Sequence, residues 1–136
     1  QPGVDQMMRA VECTKSGLGL KMFMSIAAIG EDGLSDFISG RTKLAAQAAN
    51  YLNTLNDFEC PVMPETNILC FRIGNNDQRQ LEIRKKLLKA GNFYISTTMY
   101  KNARWLRCAI MNPDTSFDDL KELFDEVREI NTKLDI

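Results

Sequence analysis

The residue whose type and setting could do chemistry is Arg107. It lies in Trp105-Leu106-Arg107-Cys108-Ala109-Ile110-Met111, where every neighbour is apolar. Read as a strand, this run alternates faces, so Arg107 shares one face with Trp105, Ala109 and Met111. A charge amid an apolar strand is costly unless it is paired. The planar guanidinium carries a fork of donors that matches a carboxylate or a phosphate. Two readings stand side by side. Arg107 binds a ligand's acid group, or its stem lies on the sheet while its head reaches solvent or a structural acid.

Other runs carry weaker signals. Gly17-Leu18-Gly19 follows Thr14-Lys15-Ser16 but lacks the third glycine and the Gly-Lys-Ser/Thr order of phosphate loops, so a close-packed helix start fits better. Lys21 interrupts an apolar helix and invites a Schiff-base reading, against which a snorkelling lysine is the plainer one. Strand alternation over 93–100 places Tyr94, Ser96, Thr98 and Tyr100 on one polar face, either the lining of a site or the solvent side of a sheet. Lys85, Lys86 and Lys89 read as a solvated helix face, and Met22 and Met24 as core filling.

Composition removes several functions. Histidine is absent, which excludes an imidazole base, Ser-His or Cys-His nucleophile systems and His-ligated metal. The 17 basic and 18 acidic residues leave a net charge of -1, with no basic excess for nucleic acid. No apolar run approaches the roughly 20 residues of a spanning helix. The cysteines at 13, 60, 70 and 108 form no C-x-x-C pair, and Cys70 and Cys108 lie in apolar runs. Reduced, structural thiols and a cytoplasmic setting are expected. The opening Gln1-Pro2-Gly3-Val4-Asp5, without Met or a basic stretch, suggests a piece of something longer.

The elements that must position Arg107 are legible in the pattern. At 136 residues the chain suits one domain. A short, largely buried helix is expected over 17–30, apolar almost all round and therefore in need of cover from other protein. A long second helix follows, with Asp32 as N-cap, a stripe from Leu34 to Leu55 and a bend possible at Gly40. Residues 56–59 close it. A strand over 67–73 precedes a helix over 78–89, which turns Leu81, Leu87 and Leu88 inward and is capped by Gly91. Strands over 93–100 and 105–111 form a hairpin across 101–104. Thr115 or Ser116 then caps a last helix whose stripe is Phe117, Leu120, Leu123, Phe124, Val127, Ile130 and Leu134. The result is a small α+β unit with helices covering one face of a short antiparallel sheet.

Three blocks together go further. Glu12-Cys13-Thr14-Lys15-Ser16-Gly17-Leu18-Gly19-Leu20-Lys21-Met22-Phe23, with Gly30-Glu31-Asp32-Gly33-Leu34, is the first. Asn67-Ile68-Leu69-Cys70-Phe71-Arg72 is the second, and Trp105 through Asn112-Pro113-Asp114-Thr115 is the third. In this order they resemble the C-terminal part of the group II pyridoxal-phosphate (PLP)-dependent amino-acid decarboxylases, such as glutamate and aromatic amino-acid decarboxylase. The resemblance covers about Val11 to Ile130. Ser16-Gly17 departs from the bulkier residues often found there.

The resemblance implies fold type I, with residues 1–33 as the end of the large PLP domain and its junction, and 34–136 as the small C-terminal domain. It implies that the Schiff-base lysine and the cofactor-stacking histidine lie upstream, so that this piece is inactive alone. It also implies an amino-acid substrate, a homodimer and the upstream large domain as partners, loss of the α-carboxylate into the pyridine-ring electron sink, and Arg107 at the substrate carboxylate. The alternatives are a stand-alone ferredoxin-like binding module and a fragment of a PLP-dependent carbon–carbon lyase.

Overall fold

The computed structural model describes residues 17–134. The chain divides into two compact units, Gln1–Asp36 and Phe37–Ile136. Helix α1, Leu18–Leu52, runs through both.

In the first unit, the helix breaks at Gly30, whose φ of 72° lies in the left-handed region that glycine enters without penalty. The break therefore falls at Gly30, where the first helix was expected to end, and Gly40 stays helical. The expected burial of this stretch is not seen: Leu20 is 67% and Phe23 66% exposed, and Met22, Met24 and Ile29 are exposed as well. Among the described residues this apolar surface is exposed.

The second unit holds strand β1 (Phe58–Glu59), β2 (Ile68–Ile73), helix α2 (Asp77–Ala90), β3 (Ser96–Tyr100), β4 (Ala103–Ala109) and helix α3 (Phe117–Thr132). The sheet order is β1-β2-β4-β3, and every pairing is antiparallel. Residues 56–59 differ from expectation. The helix ends at Leu52, and Phe58–Glu59 forms a short edge strand against Ile73 and Arg72. Two residues carry too little pattern to read as a strand. The hairpin turn is tighter than expected, with Lys101 and Asn102 both at positive φ, as a two-residue turn of the type I′ kind requires.

Caps set the helix ends. Asn76 accepts from the Arg79 amide at the start of α2, and Gly91 at φ 84° ends it. Ser116 and Asp119 form a reciprocal capping box on α3. Arg79 closes the far end of α3, donating to the carbonyls of Asn131 at 2.7 Å and Leu134 at 3.1 Å. The buried Gln80 does similar work at the end of β2, giving its amide hydrogen to the Ile73 carbonyl at 2.8 Å. Within α2 the fully buried apolar positions are Ile83 and Leu87, while Leu81 and Leu88 are half-buried.

One core joins the sheet to all three helices. Leu69, Phe71 and Leu106 meet Ala45, Ala48 and Leu52 of α1, Ile83 and Leu87 of α2, and the α3 stripe. Phe124 is its aromatic centre, edge-on to Phe71 at 5.3 Å and within 6.3 Å of both Phe58 and Tyr51. Phe124→Ala is expected to destabilise the domain by about 3–5 kcal/mol. A urea midpoint unchanged from the parent chain would show that this ring is not central.

Cys60, Cys70 and Cys108 are free thiols, and Cys13 lies outside the described residues. Burial pushes the Cys60 thiol up to about 12 and Cys108 up to about 11, from an ordinary 9.0. Cys70 is raised too, by burial, with the nearby positive charge of Arg107 opposing. Unfolded thiols ionise first, so stability falls as pH rises from about 9 toward about 12. In the folded chain at pH 8, iodoacetamide is expected to leave Cys60 and Cys108 unmodified until denaturant is added, read by peptide mass. Rapid modification of either in the folded chain would contradict their burial.

Candidate functional site

The packing of Leu69, Phe71 and Leu106 into the core forces the alternate residues of β2 and β4 onto the other face of the sheet. The register then lines them up. Arg107 pairs with Cys70 on one side and Ser96 on the other, and Trp105 pairs with Thr98. Cys70, Arg107, Ser96 and Thr98 are all half-buried, and Ala109 is exposed. The polar face expected from the β3 pattern thus includes Ser96 and Thr98 beside Arg107. Tyr94 precedes the strand and is exposed, and Met111 is exposed beyond the end of β4.

The row beside Arg107 is built differently. Trp105 is buried on this second face, its indole N–H donating to the Tyr100 carbonyl at 3.1 Å. The Arg72 guanidinium stacks over that indole, 4.4 Å from the ring centroid. Arg72 also donates from Nε at 2.8 Å and from Nη2 at 2.6 Å to Oε2 of Glu59, its partner on β1. Strand β1, which the pattern did not reveal, therefore delivers the acid that neutralises Arg72.

Arg107 has no such partner. Arg41, Arg72, Arg79, Arg84, Arg104 and Arg128 each donate to a protein acceptor. Among the described residues the Arg107 guanidinium has neither a hydrogen bond nor an ion pair. Among the described residues no acid pairs with Arg107, which leaves its head to solvent or to a ligand. A half-buried guanidinium with its fork unused is chemically suited to an incoming carboxylate or phosphate.

Arg41 is a residue the sequence reading missed. From α1 its Nη1 donates to the carbonyls of Asn112 at 2.9 Å and Thr115 at 2.8 Å, pinning the turn after β4. Asn67 steadies the same end of the strand, through Nδ2 to the Ile110 carbonyl at 3.1 Å and by accepting from the Ile110 amide at 2.9 Å. A polar residue between Gly40 and Thr42 carries no signal of a partner more than 70 positions away. The groove beside Arg41 is walled by Phe37, Ile38, Ile110 and Met111.

The remaining candidates do not assemble a site. Gly17 precedes α1, with the Lys21 amide bonded to its carbonyl, and nothing lies within 4 Å of a Cβ placed on Gly19. The helix start is therefore present, and among the described residues Gly19 shows no close packing. Lys21, Lys85, Lys86 and Lys89 are exposed. Among the described residues no cluster of Cys, Asp or Glu is arranged to hold a metal ion, and no helix is long and apolar enough to cross a membrane. Among the described residues no strand position carries a lysine, so the Arg107 face offers no amine for a Schiff base to PLP.

No family model matches the chain. It is 23% identical over 126 residues to L-2,4-diaminobutyrate decarboxylase of Acinetobacter baumannii, covering 88% of this chain and 25% of that protein. It is 23% identical over 127 residues to histidine decarboxylase of Drosophila melanogaster, covering 93% of this chain and 15% of the relative. The chain thus spans a quarter or less of these two relatives. Among solved structures, mouse CSAD in its apo form superposes with a TM-score of 0.81 at 20% identity, covering 96% of this chain and 31% of that one. Oryza sativa TDC with PLP and tryptamine gives 0.79 at 20% identity, over 95% of this chain and 29% of that one. The four-stranded antiparallel sheet and its helices have the fold of the C-terminal part of group II PLP-dependent decarboxylases.

Proposed function

We propose that this chain is the C-terminal part of a PLP-dependent amino-acid decarboxylase and that it presents Arg107 to the carboxylate of the substrate. The observation that carries the reading is the unpaired guanidinium of Arg107, held at the middle of the sheet between Cys70 and Ser96. In this reading residues 1–33 end the large domain and 34–136 form the small one. The exposed apolar side chains of Leu20, Met22 and Phe23 are covered by the upstream large domain. The whole enzyme is a cytoplasmic homodimer, a setting that the free, protonated thiols of Cys60, Cys70 and Cys108 suit.

PLP, held by the upstream domain, supplies the electron sink for the bond that breaks. The role of this chain is to bind and orient. Arg107 offers two parallel N–H donors to one carboxylate, which fixes the amino acid's direction as well as its affinity. Cys70 and Ser96 are small and flank it without closing it off. Arg41 and Asn67 keep the end of β4 from fraying, so the guanidinium sits on a rigid element.

In the full-length enzyme, Arg107→Ala is expected to lower kcat/KM by about 10- to 100-fold, mainly through KM, because a charged hydrogen-bonding pair is lost. PLP absorbance should persist in the variant. Steady-state kinetics unchanged from wild type would remove the carboxylate role. The isolated chain supplied with PLP and amino acids should release no carbon dioxide above the cofactor-alone control. Robust turnover would refute the assignment to a part of a larger enzyme.

A further inference from the structure

Two guanidiniums share the second face of the sheet, and the structure treats them differently. Of the two, Arg72 is the one engaged by partners. It is stacked on Trp105 at 4.4 Å and its Nε and Nη2 edge is filled by the Glu59 carboxylate. That edge is the one a substrate carboxylate would use, and Glu59 shows that it binds a carboxylate in place. Arg107 lies two residues along β4 from Trp105, about 7 Å away, and its fork is unused. Glu59 projects from the two-residue edge strand, and its side chain is 56% exposed, against 17% for Arg72.

We propose that Glu59 is a specificity-determining residue. By holding Arg72 it leaves Arg107 as the single uncompensated cation on this face among the described residues, so the site recognises a substrate that presents one carboxylate rather than a dicarboxylic acid. This rests on the reading of Arg107 given above. The argument is one of occupancy. A second substrate carboxylate reaching toward Arg72 meets an acid already seated there, and Coulomb repulsion from Glu59 adds to the displacement cost. On removal of the Glu59 charge Arg72 is expected to stay in position, because Trp105 still underlies its guanidinium.

The test is inhibition of the full-length PLP-loaded enzyme by butyrate and by glutarate, which differ in the second acid. Wild type is expected to bind the two with inhibition constants within about threefold. Glu59→Gln should tighten glutarate by about tenfold, the scale of a charge-assisted hydrogen bond, and leave butyrate unchanged. Adding Arg72→Gln to Glu59→Gln should abolish that gain. Glutarate inhibition unmoved by Glu59→Gln, a gain that survives loss of Arg72, or a wild-type enzyme that already prefers glutarate strongly would each overturn the proposal. Arg107→Ala run alongside separates the two readings. If it leaves both inhibitors unaffected, Arg107 is not the carboxylate site and the Glu59 proposal falls with it. If it weakens both while Glu59→Gln changes nothing, only the Glu59 proposal is lost.

Discussion

Everything about the site depends on which way β4 faces. Leu106 is fully buried against the helices, and the pleat then leaves Trp105 and Arg107 no option but the opposite side. A slip of one residue would drive a guanidinium into the core beside Phe71 and Phe124, at a desolvation cost the domain could not absorb. The apolar core is therefore the device that aims the charged residue. The pairing of β4 with β2 and β3 extends the same constraint sideways, so that Cys70 and Ser96 are placed by register and not by contacts of their own.

The second face also shows how one strand type serves opposite ends. Trp105 and Arg107 are two positions apart and share a surface, yet one is buried and bonded while the other is half-exposed and, among the described residues, unpaired. Arg72, bonded to Glu59, makes the difference by stacking over the indole. Each exposed ion pair of this kind contributes little to stability. In the proposed reading its effect is on which cation remains available, a matter of electrostatic patterning more than of folding energy.

Much of this was legible in the sequence. The α3 stripe from Phe117 to Leu134 and the glycine at 91 follow from local chemistry and were read in place, and of the two caps offered, Thr115 and Ser116, the structure uses Ser116. Arg107 stood out because a charge within an apolar strand breaks the pattern. The polar face of β3 was visible at Ser96 and Thr98, though its pairing with Arg107 was not, since register is a property of two strands. Strand β1 was hidden by its length, and with it the fate of Arg72. The clamps made by Arg41 and Arg79 were hidden for another reason. Their acceptors are main-chain carbonyls, which every residue carries, so no side-chain identity marks the partner. The start of α1 was read as apolar and in need of cover from other protein, and its side chains are exposed among the described residues.

The turn at Lys101 and Asn102 has a consequence in time as well as in space. Hairpins closed by two residues form in about 1–10 μs, from neighbours in the chain. The Ser96–Arg107 half of the row can therefore assemble early and locally. The Cys70 half must wait, because β2 reaches β4 only after α2 and β3 have been looped out between them. The central strand is thus zipped first on one edge and then on the other, and Arg107 gains its second neighbour in the slower of the two events.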